Sequence, residues 1–209
     1  MKIAVIAAGG RIGSLTTDEA VERGHDVTAF VRSDRSTRAQ HTVVKDAREI
    51  SADDLASFDV VVDAFGAWVP EELDQHDKVT KALADAVVGT STKLYVVGSA
   101  GTMLMDGDPA KPLRDSEIML EEYKPLAKAM GKAFDNLRER DDVNWVYVTP
   151  PLDFRADGPR TGEYAVEGDA YTTNKDGVST MSYTDYVVGM LDIIEGDKFT
   201  KRRVSLRSK

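Results

Sequence analysis

The stretch that decides the fold is Lys2-Ile-Ala-Val-Ile-Ala-Ala-Gly-Gly-Arg-Ile-Gly13, together with Asp26-Val-Thr-Ala-Phe-Val-Arg32 further along the chain. The apolar run 3–6 is typical of a buried parallel strand. A glycine-rich turn follows, then a segment with apolar residues on one helical face that is closed by Gly24. Residues 27–31 form a second apolar run. The stretch therefore predicts a strand–turn–helix–strand unit.

The turn carries the spacing of a phosphate-binding motif. Ala7, Gly10 and Gly13 follow the pattern G-x-x-G-x-x-G with alanine in the first position. Such a turn needs one glycine where the backbone approaches a pyrophosphate and another where the helix packs on the strand. The alternative is a generic strand-to-helix turn. The residues expected to bind a dinucleotide here are Ala7, Gly9, Gly10, Arg11, Ile12 and Gly13.

Composition excludes several classes of function. The chain has 209 residues, a formal net charge of -9 and no cysteine. An acidic surface argues against nucleic-acid and anionic-membrane partners, and the missing cysteines remove disulfides and thiolate chemistry. No signal peptide or membrane-spanning run is recognisable. We expect a cytoplasmic protein, monomeric or homodimeric, that acts on a small molecule.

Strands and helices alternate through residue 149, which favours an α/β doubly wound Rossmann-type fold. The apolar runs at 42–45, 59–64, 93–97 and 144–149 are the predicted third to sixth strands, and the expected sheet order is 3-2-1-4-5-6. We expect one NAD(P)-binding domain over 1–209. Its small C-terminal cap includes a substrate-side excursion over 151–181, in which 163–166 is expected to form either a small hairpin or an extended run. Residues 202–206 are expected to be an edge strand.

The chain resembles the atypical short-chain dehydrogenase/reductases, and within them the NADH-flavin reductase-like and biliverdin-IX-beta-reductase-like proteins. The matching stretches are Ile6-Ala-Ala-Gly-Gly-Arg-Ile-Gly13, Gly24-His-Asp-Val-Thr-Ala-Phe-Val-Arg32, Leu94-Tyr-Val-Val-Gly-Ser-Ala-Gly101, and Thr149-Pro-Pro151 followed by Arg160-Thr-Gly162. The resemblance implies a nicotinamide cofactor and a reductase activity. The Tyr-x-x-x-Lys pair of the larger superfamily is missing, because Ala127 lies four residues after Tyr123. The flavin-reductase-like members also lack this pair.

Arg32 indicates which nicotinamide cofactor is used. It ends the second strand, where an acidic residue would bind the ribose hydroxyls of NAD and a cation suits the 2′-phosphate of NADP. Arg35 and Arg38 could add to this site, and Arg11 could reach either the pyrophosphate or the 2′-phosphate. The alternative is that these arginines are solvated loop residues. NADP is therefore the expected cofactor, and NAD is the second choice.

The remaining site candidates end the later strands. We expect Asp46 and Ala47 near the adenine, where Asp46 could accept a hydrogen bond from the adenine amino group or could simply cap the turn. The ribose and nicotinamide are expected at the ends of the fourth, fifth and sixth strands. Ser99 and His76 are the candidate catalytic residues, each with a structural alternative: a turn-stabilising serine and a core histidine. No metal site is expected. The residues expected near the nicotinamide are Ala64, Phe65, Gly66, Gly98, Ser99 and Pro150.

These features predict an NADP-preferring oxidoreductase that transfers hydride to a flat conjugated acceptor, with flavin or quinone as the substrate. Met103, Leu104, Met105 and Phe154 could cover such an acceptor, or could pack as ordinary loop residues. Two alternatives stay open. One is a non-catalytic NADP-binding redox sensor of the NmrA-like type, and the other is an epimerase or dehydratase acting on nucleotide sugars.

Overall fold

The computed structural model describes residues 1–209, arranged around an eight-stranded sheet. The strand order is β3-β2-β1-β4-β5-β6-β10-β8, and a separate pair is formed by β7 and β9. The strands are β1 (Lys2–Ile6), β2 (Asp26–Val31), β3 (His41–Val44), β4 (Val60–Asp63), β5 (Lys93–Val97), β6 (Asn144–Thr149), β7 (Asp153–Arg155), β8 (Tyr164–Glu167), β9 (Thr180–Ser182) and β10 (Arg202–Ser208).

Helices cover both faces of this sheet. The α-helices are α1 (Arg11–Glu22), α2 (Ala52–Leu55), α3 (Gln75–Ala86), α4 (Lys124–Arg138) and α5 (Tyr183–Gly196). One apolar core, of 21 buried residues, joins α5 and α1 to the sheet, and the other, of 18, joins α3 and α4 to the opposite face. Pro125 lies in the first turn of α4, where its missing N–H costs nothing. No helix is both long enough and apolar enough to cross a membrane.

The expected sheet order 3-2-1-4-5-6 is confirmed, and these six strands are parallel. Parallel strands bring their carboxyl ends to one edge of the sheet. The turns after β1, β4, β5 and β6 therefore meet at that edge. The α/β doubly wound architecture follows from the alternation of elements seen in the sequence.

Two expectations for the C-terminal part are wrong. The strand predicted at the edge, over 202–206, is β10, which lies inside the sheet between β6 and β8. Of the two alternatives for 163–166 the hairpin is wrong, because the run is extended as β8 and pairs antiparallel with the distant β10. Burial of all four residues from Arg203 to Leu206 is the physical sign of an interior strand. The alternating polar residues in that run concealed it in the sequence.

Arg203 explains how a cation is accommodated in this interior strand. Its guanidinium is 4% exposed and donates hydrogen bonds to Asp169 and to the carbonyl of Thr102. It also lies over the ring of Phe134, 5.0 Å from the centroid. Arg203 thereby ties the loop after β5, at Thr102, to the segment after β8, at Asp169.

Candidate functional site

A cleft of about 1290 Å³ opens at the carboxyl edge of the sheet. It is bordered by the turns that follow four parallel strands, with Ala7 after β1, Ala64 after β4, Gly98 after β5 and Pro150 after β6. Ligands of doubly wound folds bind at this edge, where the direction of strand succession reverses. The volume is large enough for a dinucleotide together with a second small molecule.

The turn between β1 and α1 has the geometry of an anion site. Gly10 precedes α1 and no side chain caps the helix, so the first N–H groups of α1 have no intrahelical acceptor. A Cβ on Gly13 would lie 2.5 Å from the carbonyl oxygen of Ala7, so only glycine lets the helix begin this close to the turn. Ala7 has a φ of 57°, the left-handed conformation that glycine adopts without strain. The alanine in the first motif position therefore stores strain at the site.

Cations gather at the end of the cleft that adjoins this turn. Arg11 and Arg32 are exposed, line the cleft and make no ion pair or side-chain hydrogen bond. Arg35 donates to the carbonyl of Gly9 and closes the turn from the other side. Arg38, which was also expected to contribute, does not line the cleft. Two unpaired guanidiniums give this end a local positive charge in a chain of net charge -9, and such a charge suits a phosphate.

Two further cations of this region were missed in the sequence. Lys45 and Arg48 line the same end, and both are already paired, Lys45 with Asp54 at 2.6 Å and Arg48 with Asp46 at 2.8 and 2.6 Å. The hydrogen bonds from Arg48 hold the pKa of Asp46 at about 2. Asp46 is therefore ionised at neutral pH, and its carboxylate is engaged by Arg48. Both cations are neighbours of Asp46 in the sequence after β3, and this position could have indicated that they lie at the cofactor site.

Phe65 and Gly66 line the centre of the cleft, at the end of β4. A Cβ on Gly66 would meet only the indole Nε1 of Trp68, at 3.8 Å. Gly98 has another reason to be glycine, because a Cβ there would clash with the ring of Tyr147. Ser99 accepts a hydrogen bond from the N–H of Gly101 at 3.2 Å. That bond stabilises the turn and leaves the hydroxyl proton of Ser99 free to be donated into the cleft.

The imidazole of His76 lies at the floor of the cleft and is engaged by the backbone. It is 5% exposed, and its Nε2 lies 3.3 Å from the nitrogen and 3.1 Å from the oxygen of Ala67. It packs edge-on against Phe65 at a ring distance of 5.5 Å. Burial lowers the pKa of His76, so the ring is neutral at physiological pH. These contacts hold the 65–67 turn against α3. A proton-donating role for His76 stays a prediction.

A buried carboxyl group lies directly behind Phe65. Asp63, which sequence reasoning did not single out, is 3% exposed and accepts hydrogen bonds from Thr80 at 2.8 Å and from the N–H of Phe65 at 3.1 Å. Burial raises the pKa of Asp63 to about 6. A small cavity separates it from the ring of Tyr147, whose buried hydroxyl has no partner. Asp63 lines this inner cavity and not the cleft.

The other end of the cleft is apolar and is formed by segments that the sequence did not indicate. One face of α4 contributes Leu126, Ala127 and Met130, and the residues after β6 form the facing wall. Of the expected cover only Phe154 lines the cleft. Met103 instead packs into a small core with Leu113, Met119 and Ala127, with Met105 against it. Leu104 is held by backbone bridges to Pro112 and Ala170.

The structure thus brings nearly all of the predicted site residues to one cleft. The candidates that do not line it are Gly13, which packs beneath the turn, Arg38, and the expected cover residues Met103, Leu104 and Met105. The lining residues that were missed lie on loops or on one face of α4, and which of them turn toward the cleft is not readable from a single sequence. They include Lys45, Arg48, Trp68, Met119, Leu120, Tyr123, Leu126 and Met130.

Known proteins resemble the chain over its whole length. The uncharacterized protein YwnB of Bacillus subtilis (strain 168) is 35% identical over 211 residues, covering 100% of this chain and 99% of the relative. A solved structure from Streptococcus pneumoniae TIGR4 is 43% identical, with a TM-score of 0.95 and full coverage of both chains. One from Bacteroides thetaiotaomicron is 31% identical, with a TM-score of 0.84 and coverage of 99% and 96%.

Those two structures share the fold, but their names state different activities: "putative NADH-flavin reductase" and "putative epimerase". The first agrees with the resemblance drawn from the sequence motifs, which is confirmed. The family model described as NAD(P)H-binding matches residues 7–193, from the phosphate turn to the end of α5. With the phosphate turn, the cleft and this match in agreement, the chain belongs to the NAD(P)H-binding family.

Proposed function

We propose that the protein is a reductase that prefers NADPH and transfers its hydride to a flat conjugated acceptor, a flavin or a quinone. One observation carries the proposal. A single cleft runs from an anion-binding turn, flanked by two unpaired arginines, to an apolar end formed by α4 and the residues after β6. A dinucleotide lying along it would bring its nicotinamide to the apolar end. The whole chain acts as one domain in this proposal, with 151–181 on the acceptor side.

The residues of the chain bind and orient the reactants. The N–H groups at the start of α1 would hold the pyrophosphate, and Arg11 and Arg32 the 2′-phosphate. When bound, NADPH supplies the hydride from C4 of the nicotinamide. Phe65, Gly66 and Pro150 would hold the ring against the acceptor and keep water out. The hydroxyl of Ser99 would donate a hydrogen bond to the nicotinamide or to the acceptor.

The missing Tyr-x-x-x-Lys pair favours this chemistry over that of epimerases. Tyr123 lines the mouth of the cleft with 46% of its surface exposed, and Ala127 occupies the position of the lysine. Reduction of a flavin or a quinone can take its proton from solvent, so it needs no buried acid. An epimerase that oxidises a sugar hydroxyl needs a base at that position.

Loss of NADPH absorbance, followed with flavins and quinones as acceptors, tests the proposal. We expect turnover that saturates with NADPH at lower concentration than with NADH. Tight binding of NADP⁺ without turnover on any acceptor would instead support the redox-sensor alternative. Interconversion of nucleotide sugars without net change in the cofactor would support the epimerase.

A further inference from the structure

The two ends of the cleft differ in charge as well as in shape. The cofactor end is lined by Arg11, Arg32, Arg35, Lys45 and Arg48. The other end, here called the acceptor end, is the part lined by residues 118–130 and 150–154. Its lining contains no cation, and its one charged residue is Asp153. A phosphate group therefore has favourable partners at the cofactor end only.

The helix that walls the acceptor end keeps its cations off the cleft. Tyr123, Leu126, Ala127 and Met130 lie three or four residues apart and share the face that lines the cleft. Lys124 lies on another face and pairs with Glu121. Lys128 is exposed and does not line the cleft. The amphipathic pattern of α4 thus presents an uncharged wall to the acceptor.

Carboxylates lie in or next to the segments that form the acceptor end. Asp153 accepts hydrogen bonds from Arg155 at 2.6 Å and from Thr180 at 3.0 Å, and the bond from Arg155 lowers its pKa, so it is ionised. The segment that leads into α4 carries Glu117 and Glu122, which are exposed and make no ion pair, and Glu121, whose charge is paired with Lys124. A dianionic phosphate brought to this rim would meet like charges.

The rim of the acceptor end also exposes large apolar surfaces. Leu120 is 61% exposed, Tyr123 46% and Ile118 44%, and all three line the acceptor end. Trp68, 69% exposed, lines the cleft outside it. An exposed apolar patch that borders a cleft marks a binding surface. Aromatic side chains at the rim fit the faces of a planar ring system.

We propose that the acceptor is a planar redox compound without a phosphate group, either a neutral quinone or a flavin at the level of riboflavin. Flavins that carry phosphate, FMN and FAD, are the poorer substrates. This inference rests on the proposed function and narrows its substrate class. The reaction consumes NADPH, one proton from solvent and the oxidised acceptor, and it yields NADP⁺ and the two-electron-reduced acceptor.

Riboflavin and FMN form the cleanest test, because they share the reacting isoalloxazine ring and differ in one phosphate. With NADPH saturating, we expect kcat/KM for riboflavin to exceed that for FMN by about tenfold, as two like charges near the rim would produce. Likewise, kcat/KM for a neutral naphthoquinone should exceed kcat/KM for the corresponding naphthoquinone sulfonate. Added salt should reduce both ratios, because the repelling charges are exposed.

Leu120→Arg places a cation at the rim and should raise kcat/KM for FMN toward that for riboflavin. Val88→Arg makes the same change at an exposed position that does not line the cleft, and should leave the ratio unaltered. Thermal unfolding of both variants shows that they are folded. Equal or better use of FMN by the unaltered protein, or a ratio that Leu120→Arg does not change, would overturn the inference. No turnover with any acceptor would instead reject the proposed function.

Discussion

Replacement of Arg32 by alanine should weaken the binding of NADPH and leave that of NADH nearly unchanged. Arg32 is exposed and unpaired at the cofactor end, so its removal leaves no buried charge and disturbs no packing. A hydrogen bond between charged groups contributes about 1.5–3 kcal/mol. Since Arg11 and Arg35 remain nearby, we expect the low end of that range, which corresponds to about tenfold in Kd.

The dissociation constants can be measured by titration, with fluorescence as the readout because Trp68 lies in the cleft. Arg38→Ala is the matched control, since it removes the same charge from the same loop outside the cleft. The double variant Arg11→Ala/Arg32→Ala should lose about a hundredfold for NADPH if the two arginines act independently. Equal losses for NADPH and NADH, or a loss in Arg38→Ala as large as in Arg32→Ala, would refute the assignment of the 2′-phosphate site.

Other predictions concern the turn and the buried carboxyl group. Because the pKa of Asp63 is raised to about 6, the folded state binds the proton more tightly, and the unfolding free energy should fall by about 3 kcal/mol between about pH 4 and pH 6. Urea denaturation across this range should show the fall, and Asp63→Asn should lack it. Gly13→Ala should cost about 1–3 kcal/mol, since its Cβ would lie 2.5 Å from a backbone oxygen. It should also abolish cofactor binding, whereas Gly196→Ala, with no atom within 4 Å, should do neither. Ala7→Gly relieves a φ of 57° and should raise the unfolding free energy by about 0.5 kcal/mol, once the added entropy of the unfolded chain is subtracted. A fall in the unfolding free energy of more than about 1 kcal/mol would show that Ala7 is not strained.

The cofactor end could be predicted from the sequence because its signals are local. Gly10, Gly13 and Arg32 lie within one strand–turn–helix–strand unit, whose geometry follows from the period of its apolar residues and the needs of a tight turn. The order of the first six strands followed from the same alternation. Lys45 and Arg48 escaped notice only because their own neighbourhood contains no motif.

The acceptor end could not be predicted, because it depends on contacts between distant segments. Met103 looked like a cover residue, yet Leu113 and Met119 bury it. Strand β10 looked like an edge, and only its pairing with β8 shows that it is not one. Burial of Arg203 is likewise possible only through Asp169 and Thr102. A single sequence carries no signal for such pairings.

The cleft draws its two ends from different parts of the chain. Residues 7–48 supply the cofactor end, and residues 118–130 and 150–154 supply the acceptor end. The two sets share no element of secondary structure, and both lie along the carboxyl edge of one sheet. Changes in the 118–130 segment can therefore accumulate without altering the affinity for the nicotinamide cofactor. A fold divided in this way allows relatives to diverge in substrate while they keep the same redox cofactor. Exchange of the 118–130 segment between two relatives should therefore transfer the choice of substrate.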